Sequence, residues 1–105
     1  METGNKEKKI GVFCYEMLGT AFIMYAMMLE NGVFGSAVYI TFAMMMVAWN
    51  VSGGHFNPAI TLGVYVAEKD FKGNAVIMGL MIVGQFAGAF LGVLFGYLAL
   101  VAKDY

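Results

Sequence analysis

Three long apolar runs leave this chain few ways to fold. They cover residues 10–29, 33–51 and 75–102; the first contains one charged residue, Glu16, and the third one strongly polar side chain, Gln85. At a helical rise of about 1.5 Å per residue, runs of this length can cross a hydrocarbon core roughly 30 Å thick. A soluble domain would need polar faces, which these runs lack. The pattern predicts an all-α membrane protein with three transmembrane helices.

Composition narrows the possible functions and partners. The chain is 61% hydrophobic and 12% charged, whereas soluble domains are about 45–50% apolar and about 25% charged. All six basic residues are Lys, so no arginine-rich patch is present for nucleic acid. Cys14 is the one cysteine and His55 the one histidine, which argues against a disulfide and against a metal site. We predict membrane lipid as a partner, with no cofactor, no catalytic residue and no enzymatic activity.

The lysines predict the orientation in the membrane. An amino terminus in the cytosol places five lysines inside and one, Lys103, outside. The inner five are Lys6, Lys8, Lys9, Lys69 and Lys72. Because cytoplasmic loops carry the excess of lysine, residues 1–9 are predicted to form a cytoplasmic segment. The first apolar run is too long for a cleaved signal peptide.

A short apolar segment follows the second run and cannot cross the membrane. Residues 58–67 are ten residues long, which corresponds to about 15 Å of helix. Non-helical backbone, such as residues 52–57 before it, is tolerated at membrane depth only around a cavity or inside protein. The two segments together predict a re-entrant loop and half-helix spanning residues 52–67.

The start of the half-helix has the chemistry of a site for a neutral solute. Asn57 is a favoured cap residue and Pro58 is favoured at the first helical position. The Asn57 oxygen can cap the helix while its NH2 group donates to a solute beside the positive helix end, which opposes cations. The carbonyls of Gly53, Gly54 and His55 can supply matching acceptors. The alternative is an ordinary helix start between packed helices.

Three motifs carry a family resemblance. Residues 52–63 read Ser-Gly-Gly-His-Phe-Asn-Pro-Ala-Ile-Thr-Leu-Gly, residues 16–20 read Glu-Met-Leu-Gly-Thr, and residues 84–89 read Gly-Gln-Phe-Ala-Gly-Ala. Together they resemble the signature loop, first helix and third helix of the aquaporin and glycerol-facilitator family. The similarity runs from about Ile10 to Val101. It implies a passive channel for water, with glycerol or other small uncharged solutes left open.

The resemblance also implies roles for individual residues. Residues 10–105 would form one inverted repeat of an aquaporin-like six-helix channel. In the family, complete channels assemble as tetramers. Asn57, Pro58, Ala59 and the carbonyls of residues 53–55 would line the pore. Glu16 and Gln85 would support the loop, and both lie at its depth, about 9 Å and about 15 Å into their runs. A proton-coupling carboxylate at Glu16 and an interhelical hydrogen bond at Gln85 are the alternatives.

Two features of the family pattern, a second Asn-Pro-Ala motif and a filter arginine, are missing from this sequence. The family pore uses two Asn-Pro-Ala motifs and a filter arginine, whereas this sequence has one such motif and no arginine. We therefore expect a fragment of a longer protein, in preference to two copies inserted in opposite orientations. The filter position on the second helix falls near Ala37, with Tyr39 close by. A small residue there indicates a wider filter, and a register shift to Tyr39 would restore an aromatic one.

Two other functions remain open from the sequence. A small proton-coupled secondary transporter would use Glu16, but such proteins have four full spans and no re-entrant half-helix. A non-transporting membrane packing protein is suggested by glycines at every fourth position of the third run. These are Gly84, Gly88, Gly92 and Gly96. Such a ridge serves either an oligomer contact or packing inside the bundle.

Overall fold

The described part of the chain is helical. The computed structural model describes residues 6–30 and 35–103, so residues 1–5 of the predicted cytoplasmic segment, the break at 31–34 and residues 104–105 lie outside it. Four helices fill the described ranges: α1 Lys6–Leu29, α2 Gly35–Ala48, α3 Pro58–Glu68 and α4 Phe71–Lys103. The prediction of an all-α chain is confirmed. Among these helices, α1 and α4 are long and apolar enough to cross a membrane, and α2 is a shorter apolar helix.

The long helices α1 and α4 pack along the glycine ridge. A Cβ at Gly84 would lie 2.9 Å from the carbonyl oxygen of Phe13, and one at Gly88 would overlap the carbonyl oxygen of Met17. Only glycine lets two helix backbones approach this closely. The ridge therefore serves packing inside the bundle, one of the two roles left open by the sequence.

The end of α2 shapes the loop that follows. The N–H groups of Val51, Ser52 and Gly53 all donate to the carbonyl oxygen of Ala48, at 3.0, 2.9 and 3.2 Å. This turn ends the helix at Ala48, three residues before the end of the apolar run. Gly53 and Gly54 follow with φ of +87° and +66°, a left-handed conformation that favours glycine.

A tight connection joins the half-helix α3 to α4. Lys69 ends α3 in the left-handed conformation with φ of 60°, and the Oδ1 atom of Asp70 accepts the N–H of Gly73 at 3.1 Å. This cap lets α4 begin at Phe71, four residues before the third apolar run. The 11 residues of α3 correspond to about 16 Å of helix, half the thickness of the hydrocarbon core.

Candidate functional site

Glu16 joins the loop to α1 and α4. Its side chain is fully buried. Its Oε1 atom accepts from Ser52 Oγ at 2.7 Å and from the His55 N–H at 3.0 Å. Its Oε2 atom accepts from the Phe56 N–H at 2.7 Å and from Gln85 Nε2 at 2.8 Å. All four neighbours donate, so the carboxyl group acts only as an acceptor and fixes three points of the loop to the long helices.

Thr61 forms a second junction on the half-helix. It is fully buried, and its Oγ1 atom accepts from Gln85 Nε2 at 2.8 Å. The same hydroxyl lies 3.0 Å from His55 Nδ1 and donates to the carbonyl oxygen of Asn57 at 3.3 Å. Thr61 therefore ties the loop, α3 and α4 together. A polar residue one turn after Asn57 in an otherwise apolar half-helix is the signal that could have identified it from the sequence.

Close backbone contacts hold the loop against α1 and α2. Phe56 has φ of +54°, an uncommon conformation for a residue with a large side chain. Its ring lies on Gly19, where any side chain would overlap it. A Cβ at Gly54 would lie 3.1 Å from the Cα of Met45 on α2. Sequence reasoning assigned no role to Gly19, because the contact depends on where the Phe56 ring points.

Asn57 caps α3 and presents the donor end of its side chain outwards. Its backbone is extended, with φ of −153° and ψ of 121°, and its Oδ1 atom accepts the N–H of Ala59 at 2.8 Å. Pro58 is the first residue of α3. Asn57 and Ala59 are exposed in this chain, and Pro58 is half-buried. Because the oxygen is used by the cap, the Nδ2 group is the part of Asn57 available to a solute.

The carbonyl oxygens of Gly53, Gly54 and His55 supply acceptors. Within residues 6–30 and 35–103, none of the backbone hydrogen bonds of the turns, loops and caps is accepted by these three oxygens. Gly54 is buried, whereas Gly53 and His55 are partly exposed. Unpaired carbonyls at membrane depth are costly unless water or a solute reaches them. The loop therefore combines fixed acceptors with the fixed donor of Asn57.

A cavity of about 390 Å³ lies beside the loop, at the end of the bundle where α1 begins. Ser52, Gly53 and His55 line one part of it, and Lys8 and Glu68 line another. Within the described ranges, no group of three His, Cys, Asp or Glu side chains is placed to hold a metal ion. The cavity thus offers polar contacts to a small solute.

The filter candidate Ala37 lies away from this network. It is 5% exposed, and its N–H donates to Glu30 Oε1 at 2.9 Å. It is about 12 Å along α2 from Met45, the residue that contacts the loop. Tyr39 is 78% exposed, so its side chain is available to whatever covers α2.

Replacing Thr61 by valine tests the second junction. The change keeps the shape of the side chain and removes its hydroxyl, which leaves the buried donor of Gln85 without one of its two acceptors. We expect the free energy of unfolding of the protein in mixed micelles to fall by about 2 kcal/mol. Thr41→Val is the matched control, because the Thr41 hydroxyl donates to the carbonyl of Ala37 in its own helix, at 2.7 Å, and not to another segment of the described chain. Equal losses in both variants would contradict the junction role.

The similarity to known proteins extends well beyond the loop. The model of the major intrinsic protein family, whose members are membrane channels for water or small solutes, matches residues 10–104. No significant match was found among curated proteins or among solved structures. The matched range takes in Glu16, the whole loop and Gln85, and it covers most of the sequence. The resemblance is thereby confirmed, and this chain, an integral membrane protein, belongs to the major intrinsic protein family.

Proposed function

We propose that residues 10–105 supply one half of a passive channel for water, with glycerol and other small uncharged solutes as further candidates. The observation that carries the proposal is the loop from Gly53 to Asn57. Three carbonyls that accept no backbone N–H among the turn, loop and cap bonds of the described residues precede one amide donor, and the buried Glu16 holds the N–H groups of His55 and Phe56. No covalent chemistry is needed, because a neutral solute only exchanges hydrogen bonds as it passes.

The donor and the acceptors act on different parts of a solute. Asn57 Nδ2 donates to the oxygen of a water or hydroxyl group, and the carbonyls of residues 53–55 accept its hydrogens. The first turn of α3 adds a partial positive charge of about half a unit beside Asn57. This charge favours the solute oxygen and opposes cations, including protons. The chemistry therefore selects small uncharged molecules.

A complete pore needs a second wall. Asn57 and Ala59 are exposed here, and a hydrogen-bonding site at membrane depth requires protein around it. We propose that α1, α2 and α4 span the membrane with the amino terminus in the cytosol. A second, inverted repeat of a longer chain then covers this face and brings its own Asn-Pro-Ala and a filter arginine. The completed protein assembles as a homo-oligomer, a tetramer by family resemblance, with Ala37 as the second-helix filter position.

Substituting Asn57 with aspartate tests the donor role. Asp is an equally good helix cap, so the half-helix is retained while the NH2 donor is replaced by a carboxylate. In vesicles carrying the full-length protein, we expect water permeability, measured by osmotic swelling, to fall about fivefold, the effect of one lost hydrogen bond. Asn5→Asp makes the same chemical change in the predicted cytoplasmic segment, outside residues 10–105, and should leave permeability near the original value. Unchanged permeability in an Asn57→Asp variant of normal abundance would rule out the donor role.

The surroundings of Glu16 favour a channel over a proton-coupled transporter. A coupling carboxylate must exchange its proton with solvent, whereas Glu16 is fully buried and both of its oxygens accept two hydrogen bonds. Transport by a channel should be independent of an imposed pH gradient. Solute uptake that follows such a gradient would point to the transporter instead.

A further inference from the structure

A groove outside the solute path lies between α1 and α4, at the end of the bundle where α1 begins. Its volume is about 310 Å³. It is lined by Lys6, Lys9, Ile10, Phe13 and Leu80. On α1, Lys6 lies three and four positions before Lys9 and Ile10, and Phe13 lies four and three positions after them, which places the four on one face of the helix. Leu80 completes the groove from α4.

The lining changes from charged to apolar along the groove. Lys6 and Lys9 lie in the first turn of α1, and Ile10 and Phe13 follow one turn further into the apolar run. Ile10 is 53% exposed. Lys8 points elsewhere, because it lines the cavity beside the loop. The groove thus presents two ammonium groups at its outer end. Behind them lies an apolar wall formed by Ile10, Phe13 and Leu80.

On the α4 side, the apolar wall continues beyond the groove. Val76 and Val83 are 57% and 59% exposed, and they lie four residues before and three residues after Leu80, on the same side of α4. An extended apolar chain lying against Leu80 therefore meets further apolar surface in both directions.

We propose that this groove binds one anionic phospholipid from the surrounding membrane. The phosphate lies between the ammonium groups of Lys6 and Lys9, and an acyl chain lies along Ile10, Phe13 and Leu80. Basic pockets between transmembrane helices recognise anionic headgroups in this way. Lysines near the ends of membrane helices extend toward the headgroup layer, which places their charges at the level of the phosphate.

The apolar wall identifies a lipid rather than a soluble phosphate compound. Three of the five lining side chains are apolar and contribute nothing to an inorganic anion, whereas each buried CH2 group of an acyl chain adds to binding. Glu7 is the acidic residue next to the two lysines in sequence, but it is exposed and does not line the groove. The charge of the lining is therefore entirely positive.

The test uses the full-length protein in detergent and counts bound lipids by native mass spectrometry. Phosphatidylglycerol and phosphatidylcholine with the same acyl chains are titrated separately, and inorganic phosphate is added as a competitor. We expect one phosphatidylglycerol site per chain, preferred over phosphatidylcholine and not displaced by inorganic phosphate. The double variant Lys6→Gln, Lys9→Gln should bind phosphatidylglycerol at this site roughly tenfold more weakly.

The control removes two lysines that do not line the groove. Lys69 and Lys72 are exposed, and the double variant Lys69→Gln, Lys72→Gln has the same net charge as the groove variant, so it should retain the site. If phosphatidylglycerol binding weakened equally in both double variants, the lipid would be attracted to basic residues in general, and the proposal would be overturned. Displacement by inorganic phosphate would overturn the lipid assignment. Binding that appears only after deletion of residues 1–5 would mean that the chain itself occupies the groove.

Discussion

The variant Glu16→Leu will lower the free energy of unfolding by about 4 kcal/mol or more, the largest effect expected of any single substitution in the loop network. Leucine fills a similar space but accepts no hydrogen bond. Four donors then lose their acceptor: the buried Gln85 Nε2, and Ser52 Oγ and the N–H groups of His55 and Phe56, whose residues are half-buried. A donor left without a partner costs about 1–3 kcal/mol, least where water can reach it, so the four together cost about 4 kcal/mol or more. Unfolding of the protein in mixed micelles measures the loss of stability.

Two further variants on α1 separate hydrogen bonding from packing. Glu16→Gln keeps one acceptor oxygen and turns an NH2 group toward two of the four donors. Its free energy of unfolding should therefore fall by about half as much as that of Glu16→Leu. Thr20→Val lies one turn further along α1, at a residue that is 6% exposed and whose hydroxyl has no partner within the described residues. It should change stability by less than about 0.5 kcal/mol. The loss of stability should be largest for Glu16→Leu, smaller for Glu16→Gln and smallest for Thr20→Val. Any other order would show that the network does not hold the loop.

The sequence predicted the helical class, the resemblance and the short half-helix because these depend on local properties. Run length and helical rise show that residues 58–67 cannot cross a membrane, and the preferences of Asn and Pro locate the helix start at Asn57 and Pro58. The depth of Glu16 and Gln85 also placed both side chains at the level of the loop. Glu16 does accept N–H groups of the loop, whereas Gln85 forms the interhelical hydrogen bonds that were its alternative, to the side chains of Glu16 and Thr61. Each of these inferences needs only one segment at a time.

What the sequence could not give are the pairings between distant segments. Glu16 bonds to residues 36 to 69 positions away, and no sequence pattern shows which of its oxygens faces which donor. The position of the Phe56 ring on Gly19 depends on the left-handed backbone of Phe56. The end of α2 at Ala48, inside a continuous apolar run, depends on a turn whose three donors converge on one carbonyl. The packing of α1 on the glycine ridge of α4 likewise depends on how two distant helices are placed relative to each other.

Gly88→Ala is expected to destabilise the protein by about 3 kcal/mol, because one methyl group forces two long helices apart. The added Cβ would overlap the carbonyl oxygen of Met17 and lie 3.1 Å from the backbone nitrogen of Ala21. These atoms belong to the backbone of α1, so no side-chain rotation can relieve the overlap. Separation of α1 and α4 would also pull Gln85 away from Glu16, since the two side chains bridge the same helices at 2.8 Å.

The control for this variant is on the same helix. Among the described residues, no atom outside the neighbouring backbone of α4 lies within 4 Å of a Cβ placed at Gly79. Gly79→Ala should therefore be neutral or stabilise the helix by up to about 1 kcal/mol, because alanine has the higher helix propensity. Unfolding in mixed micelles and the oligomeric state in detergent are measured for both variants. If Gly88→Ala dissociated the oligomer while leaving each chain as stable as before, the ridge would be a contact between copies. Loss of stability within the chain is the outcome required by packing against α1.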